Sequence, residues 1–492
     1  MMLSLLALMP MLVIGFGALA LMLAEVVTDA KAGLSIGTAV VLLAAAAFAG
    51  AGWLAGPAGL GDASVFAPWL VFDKFTLFFE MLLALGGALT ALVAGGYLRE
   101  HGLERGEFYA ILSFATLGAI MLVAAGDVLM LFLGLETMSL GAYALAGFRR
   151  GNPKSIEGAL KYFLLGSFAA ALMLFGFALL YGATGHTDLA GIRDGLAVGD
   201  ALRSPGVVVA LVLILAGLVF KVSAVPFHMW TPDAYEGAPT PATAFMAASV
   251  KAGAFAMMLR ILLTCFADER SASWATGWPP VLALLAVLTM TVANLVAGRQ
   301  ESVKRMLAYS SVAHAGYLLV GVVATIRAPE QATSAVLFYL ATYTVSTIGA
   351  FAALVLCGSR GAEVVSYEDL AGLGRRNPAV ALPLAFFVLS LAGMPPMAGF
   401  FGKWFVFKAA MDAGLTGLTI LAFVNSVIGA YYYLKVLVFL YMREPAPGAP
   451  IARPMVSGEV ATAIVVCAFF AILLGLTPGS VLDMALAVGK GG

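Results

Sequence analysis

The chain has 492 residues, 62% of them hydrophobic and only 11% charged, where a soluble protein of this size carries roughly a quarter charged residues. With a mean hydropathy of +1.00 and a formal net charge of zero, it reads as an integral membrane protein with no basic surface for nucleic acid. Cys265, Cys357 and Cys467 are scattered without a CxxC pair, and no Walker loop or dinucleotide fingerprint occurs, so neither a disulfide framework, a zinc or iron–sulfur site nor nucleotide chemistry is indicated for this chain.

A helix needs about 20 apolar residues to cross the hydrocarbon core, and on that criterion the chain divides into about 14 candidate spans. The expected fold class is therefore all-α and polytopic, a single membrane domain over residues 1–492. The first span, residues 2–24, has no basic segment before it and is long enough to cross, so it reads as a retained helix and not as a cleaved signal. The second covers 33–55. The third, 72–97, carries Lys74 directly after Asp73 at its start, where a lysine snorkels to the interface. Its Glu80, about two turns in, is open to a structural or a functional reading.

After a fourth span at 107–125, the fifth, 127–147, holds Glu136 about ten residues from either end, near mid-membrane. A charge there costs several kcal/mol on an insertion scale, so it faces the bundle interior or water and is a functional candidate. The sixth span is 156–182, and the polar connection that follows, about 183–205, is a modest loop.

The seventh span, 206–230, is interrupted. Its stretch LVFKVSAVPFHMWTPDAYEGAPTP places Lys221 in an apolar run, then Pro226 and His228. Proline frees a backbone carbonyl, which in hydrocarbon is tolerated only where protein or water satisfies it. His228 reads equally as a proton relay or as a hydrogen-bonded interfacial histidine. The eighth span, 239–264, carries Lys251 deep in its length. Desolvation disfavours an ammonium and a neighbouring carboxylate favours it. A lysine between those pressures exchanges a proton when its partner moves; the alternative is a static Lys–Glu pair that fixes packing.

The ninth and tenth spans are 279–298 and 302–325. In the tenth, KRMLAYSSVAHAGYLLVG sets His314 one turn after Ser310 and Ser311, a polar stripe suited to a relay or to helix–helix hydrogen bonding. The eleventh is 332–357. The twelfth, 380–407, repeats the interrupted pattern: LAGMPPMAGFFGKWFVF sets Pro395 and Pro396 before Lys403. The thirteenth, 415–441, has Lys435 near one end, read first as snorkelling, and the last span is 457–476.

Two broken, lysine-bearing helices in corresponding positions of two halves mark an inverted-repeat transporter. The repeats fall at 107–264 and 279–441, behind an N-terminal unit of three helices at 1–106. Lys221 precedes its proline whereas Lys403 follows its prolines, so the halves are not chemically identical. If the first helix starts outside, the inside loops gather most of the loop lysines and arginines, including Arg99, Arg105, Arg149 and Arg150. By the positive-inside rule both termini then face outside.

The stretches FKVSAVPFHMWTPDAYEGAPTPATAFMAASVKAGAFAMMLR, ESVKRMLAYSSVAHAGYLLVG and AGMPPMAGFFGKWFVFKAA resemble the antiporter-like membrane subunits of respiratory complex I, a bacterial NADH:quinone oxidoreductase. The likeness runs from about the fourth helix to the thirteenth. It implies 14 helices with two inverted five-helix repeats, each with a broken helix. Glu136 and Lys221 would form a coupling pair, Lys251 would be the central proton carrier, and Lys403 would sit in the half-channel leading outside. NAD, FMN, iron–sulfur clusters and quinone would be held by other subunits, and the partners would be the sister antiporter-like subunits in a bacterial inner membrane. A lysine on the twelfth helix and the lack of a long C-terminal lateral arm favour one of the three sister types. A multi-subunit sodium/proton antiporter, which shares the fold, is the competing function. A membrane subunit whose buried charges only specify packing is the third.

Overall fold

The computed structural model describes residues 5–27, 33–59, 63–199, 201–275, 277–358, 363–445 and 452–489. Among them, twelve uninterrupted helices are long and apolar enough to cross a membrane, from Leu6–Val27 to Gly458–Leu476. Two further crossings are interrupted: Pro205–Lys221 followed by Trp230–Gly237, and Pro378–Ala392 followed by Ala398–Asp412. These are the seventh and twelfth spans, so the expected set of crossings is found in order, with ends displaced by a few residues.

The ends are written in local chemistry. Each helix leaves backbone N–H groups unpaired in its first turn, and short polar side chains accept from them: Asp73 from Thr76, Asp127 from Leu129, Ser204 from Val207 and Ser302 from Arg305. Proline occupies the first turn at Pro153, Pro205, Pro329 and Pro378, where no N–H is needed.

Between those caps the helices are apolar on every face, and what varies is depth. The third, eighth, tenth and eleventh spans (Lys74–Glu100, Thr240–Thr264, Val303–Ala324, Pro329–Leu356) form the buried centre. The perimeter is inverted relative to a soluble protein: Leu54 is 87% exposed, Phe16 69% and Phe168 64%. Such an apolar exterior suits lipid or further protein.

Beside the single-turn helices Tyr367–Leu370 and Leu373–Arg376, two longer helices were not anticipated. The connection 183–205 contains Leu189–Ala197, capped by Asp188 and buried through Leu189, Ile192 and Leu196. That apolar spacing of three and four was present in the sequence but lies among polar residues. The hydroxyl of Thr187 donates to Asp127 at 2.7 Å and Leu189 N–H to the Gly126 carbonyl at 2.9 Å, so the loop is stitched to the start of the fifth span. Beyond the last span, Gly479–Gly489 packs on the eleventh, where the Ser334 hydroxyl donates to the Ala485 carbonyl at 3.2 Å.

Opposite ends of the bundle carry different ion clusters. At the start of the third span Arg260 holds Asp73. At its other end Glu363 accepts from the Tyr97 hydroxyl, from Thr240 at 2.7 Å, from Arg149 at 2.8 Å and from Lys304 at 3.2 Å. One carboxylate in the connection between the eleventh and twelfth spans thereby ties together the third, eighth and tenth. Nearby, Asp233 pairs with Lys161 at 2.7 Å and Arg305 at 2.8 Å, and Glu236 with Lys154 at 3.2 Å and Arg305 at 3.0 Å. The acid that follows the first helix break is thus a fastening to the sixth and tenth spans.

Burial alone would raise Glu363, but Lys304, Tyr97, Thr240 and Arg149 outweigh it and hold the carboxyl down at about 2. An unfolded glutamate titrates near 4.3. The depressed value means stability that is present in full above the unfolded value and is lost as pH falls toward 2, at most about 3 kcal/mol. Glu363→Gln should remove that acid dependence and lower the melting temperature near neutral pH, because Lys304 would stay buried without its carboxylate. Thermal unfolding of the detergent-solubilised assembly from neutral pH down to about pH 2, through the window between the unfolded and folded values where linkage acts, checks both.

Candidate functional site

Lys221 is the last residue of the first half of the seventh span. The chain turns there because Ser223 adopts φ 65° and Ala224 N–H bonds back to the Val219 carbonyl, a left-handed helix stop. A non-glycine residue in that region costs on the order of 1–3 kcal/mol, a cost tolerated mainly at functional sites. The loose N–H of Val225 donates to Thr289 of the ninth span at 3.0 Å, which is how the break is satisfied inside the membrane.

The Lys221 ammonium is buried, donates to Ser139 at 2.6 Å, and lies 5.5 Å and 5.8 Å from the ring centres of Tyr143 and Tyr162. Glu136 is three residues before Ser139, one turn along the same helix. The two charges interact, yet no ion pair joins them among the described residues. Glu136 is half-buried, its Oε1 has no partner, and its helix shows Leu133 and Leu140 to the exterior. Lys221 is bonded to Ser139, and Glu136 stands one turn along from that serine.

Lys251 follows a single π-helical turn, Met246–Val250, in the eighth span; such turns recur at functional positions. It is 1% exposed, donates to the Ser311 carbonyl at 2.6 Å and also contacts the Ser311 hydroxyl. Ser311 is one turn before His314. The imidazole is buried between two phenols, Nδ1 to Tyr339 at 2.7 Å and Nε2 to Tyr433 at 3.0 Å, and Tyr433 in turn meets the Ser310 hydroxyl at 2.5 Å. A cavity of about 10 Å³, near the minimum for one water, is lined by His314, Tyr339, Thr342 and Tyr343.

Lys403 lies one turn into the second half of the twelfth span. Its ammonium reaches back across the break to the Ala392 carbonyl at 2.8 Å and to Ser426 at 3.0 Å, and lies 5.2 Å from the ring centre of Tyr317. Gly393, at φ 87°, ends the first half, and a Cβ there would stand 3.1 Å from Lys403 Cδ. Glycine thus serves both the left-handed turn and the passage of the lysine. Both breaks consequently set an ammonium at the carbonyl end of an interrupted helix, where the backbone dipole favours a cation. The sequence asymmetry about the prolines is compensated in space. Lys403 also borders a largely apolar cavity of about 510 Å³ that includes Trp404 and Phe423, which are 53% and 61% exposed.

The remaining candidates divide. His228 is half-buried in the first break, edge-on to Tyr309, with Nδ1 unpartnered; no hydrogen bond joins it to Lys221. Lys74 is half-buried at its helix start with Trp53 beneath its ammonium. Lys435 donates to the Gln300 carbonyl at 3.0 Å over the Tyr367 ring, a tie between helix ends. Sequence reasoning missed the phenols. Tyr317, Tyr339, Tyr432 and Tyr433 are buried, and Asn294 is held by Tyr317 and Tyr432, each at 2.9 Å. Their signal was chemical: a buried phenol in a bilayer protein needs a partner for its hydroxyl.

Residues 125–429 match the family described as NADH:quinone oxidoreductase/Mrp antiporter, transmembrane. NADH-quinone oxidoreductase subunit N 1 of Sorangium cellulosum is 61% identical over 494 residues, covering 98% of this chain and 97% of the relative. A chain of respiratory complex I from Thermus thermophilus with bound aureothin superposes with a TM-score of 0.80 at 38% identity, over 98% of this chain and all of that one. A chain of the Mrp complex from Dietzia sp. gives 0.84 at 22% identity, over 100% and 97%, a likeness of fold alone. The chain, a multi-pass helical membrane protein with this identity to a subunit N over nearly its whole length, belongs to the subunit N family of antiporter-like membrane subunits of NADH:quinone oxidoreductase.

Proposed function

We propose that this chain is the proton-translocating antiporter-like subunit of an NADH:quinone oxidoreductase, moving protons through Glu136, Lys221, Lys251, His314 and Lys403. NAD, FMN, iron–sulfur clusters and quinone are held by other subunits. Its neighbours are sister antiporter-like subunits and lipid in a bacterial inner membrane, with both termini outside and the two repeats at 107–264 and 279–441.

The observation that carries this reading is that Lys251 is bonded to Ser311 while His314, one turn further on, is bonded to two phenols, one of which meets the neighbouring Ser310. A neutral imidazole has one donor and one acceptor nitrogen, so a proton taken at one nitrogen leaves from the other. Ser and Tyr hydroxyls both donate and accept, and extend that property on each side. On the Lys221 side, swinging the ammonium from Ser139 to Glu136 moves a charge one helical turn and changes the field at Lys251. His228 is a lesser candidate, supported only by its unpartnered Nδ1.

The similarity of fold to an Mrp chain keeps a sodium/proton antiporter as the second reading. Inverted membrane vesicles bearing the assembled complex distinguish them. NADH should drive proton uptake that is unchanged when sodium is replaced by choline. Sodium-dependent exchange without NADH oxidation selects the antiporter instead.

A further inference from the structure

Glu80 lies two turns into the third span, wholly buried, and neither carboxyl oxygen has a hydrogen-bond partner. A charged carboxylate without donors is very costly to bury, so a packing role leaves it unexplained: it fastens nothing. Its position is ordered all the same. Asp73, Thr76 and Glu80 are spaced three and four apart and share one helix face, and helical side chains lean toward the N-terminus, here toward Asp73.

At that end Arg260 of the eighth span grips Asp73 with two nitrogens and reaches the Thr76 hydroxyl at 2.8 Å and the Val123 carbonyl at 3.0 Å. Asp73 and Arg260 line a cavity of about 400 Å³ beside Thr325 and Pro329, at the mouth of the bundle. In the other direction the third span closes on the π turn that precedes Lys251: a Cβ on Gly86 would stand 2.4 Å from Ser249 Oγ and 3.5 Å from Thr344 Cγ2. The hydroxyls of Ser249 and Thr344 are buried and unpartnered there. Buried polar groups thus lie on either side of Glu80 along the third span, Asp73 and Arg260 at its start and Ser249 and Thr344 beside Gly86, and none of them belongs to the Lys403 side.

Resting on the proton-translocation reading above, we propose that Glu80 is a proton-carrying carboxyl on a second route, which links Lys251 to the face of the bundle bearing Asp73 and Arg260. Glu80 passes a proton between hydroxyls and its own carboxyl, with no bond formed other than O–H and no net oxidation. Arg260 and Asp73 hold the outer end of the route in place.

The test uses the assembled complex in inverted vesicles with Glu80→Gln, Glu80→Asp and, as reference, Lys251→Met. Protons pumped per NADH oxidised should fall about tenfold in Glu80→Gln with the complex intact, and recover largely in Glu80→Asp. The carboxylic C=O signal that changes on NADH addition, read by infrared difference spectroscopy, should be missing in Glu80→Gln. Full pumping in Glu80→Gln beside a blocked Lys251→Met overturns the Glu80 route alone. Full pumping in both overturns the translocation reading and this route with it. A Glu80→Gln complex that assembles poorly but pumps normally per assembled copy assigns the residue to packing and overturns the route.

Discussion

Lys251→Met should abolish proton pumping almost completely, by about a hundredfold, while the complex assembles and is recovered in normal amount. The expectation rests on what the ammonium touches. It donates to the Ser311 carbonyl and hydroxyl and makes no ion pair among the described residues, so its removal strands no opposite charge. The loss of one such hydrogen bond costs about 1.5–3 kcal/mol, and methionine fills a similar volume. A lysine kept only for packing would show the reverse, a shortage of complex with normal pumping per copy. NADH-driven proton uptake normalised to assembled complex decides between them.

Glu136→Gln should lower pumping by about tenfold with no change in melting temperature beyond about 0.5 kcal/mol of stability. The carboxyl is half-buried, its Oε1 is unpartnered, and Lys221 is bonded elsewhere, to Ser139. As a structural element it therefore does little. As the alternative seat for the Lys221 ammonium it sets the size of the charge movement. Lys221→Met should give the same defect, and the double variant should be no worse than either single one, the sign of two groups acting as a unit. Additive losses would mean that the two act separately, and the switching step would fall.

The fold was legible because a bilayer leaves few solutions. With no water to satisfy the backbone, a spanning segment must be helical, so apolar length located the crossings. Proline located the breaks near Pro226 and near Pro395 and Pro396, since it cannot continue a helix interior. Lys251 was legible for the same reason: an ammonium amid AASVKAGAF has no interfacial excuse. The helix Leu189–Ala197 escaped notice because its apolar stripe is only three residues deep among polar neighbours. Glu363 escaped too. An acid in a connecting loop carries no mark of four partners drawn from distant parts of the chain.

The sequence by itself determined the crossings, the two interruptions and the burial of Lys221, Lys251 and Lys403, because each follows from the local cost of placing polar atoms in hydrocarbon. Only the tertiary structure decided which of those groups meet. It bonded Lys221 to Ser139, enclosed His314 between Tyr339 and Tyr433, and carried Lys403 back to the Ala392 carbonyl. It also left Glu80 without any partner. Those outcomes depend on how separate helices pack, as in Lys221 with Ser139, 82 residues apart, and Tyr433 with His314, 119 apart, and no local pattern encodes them.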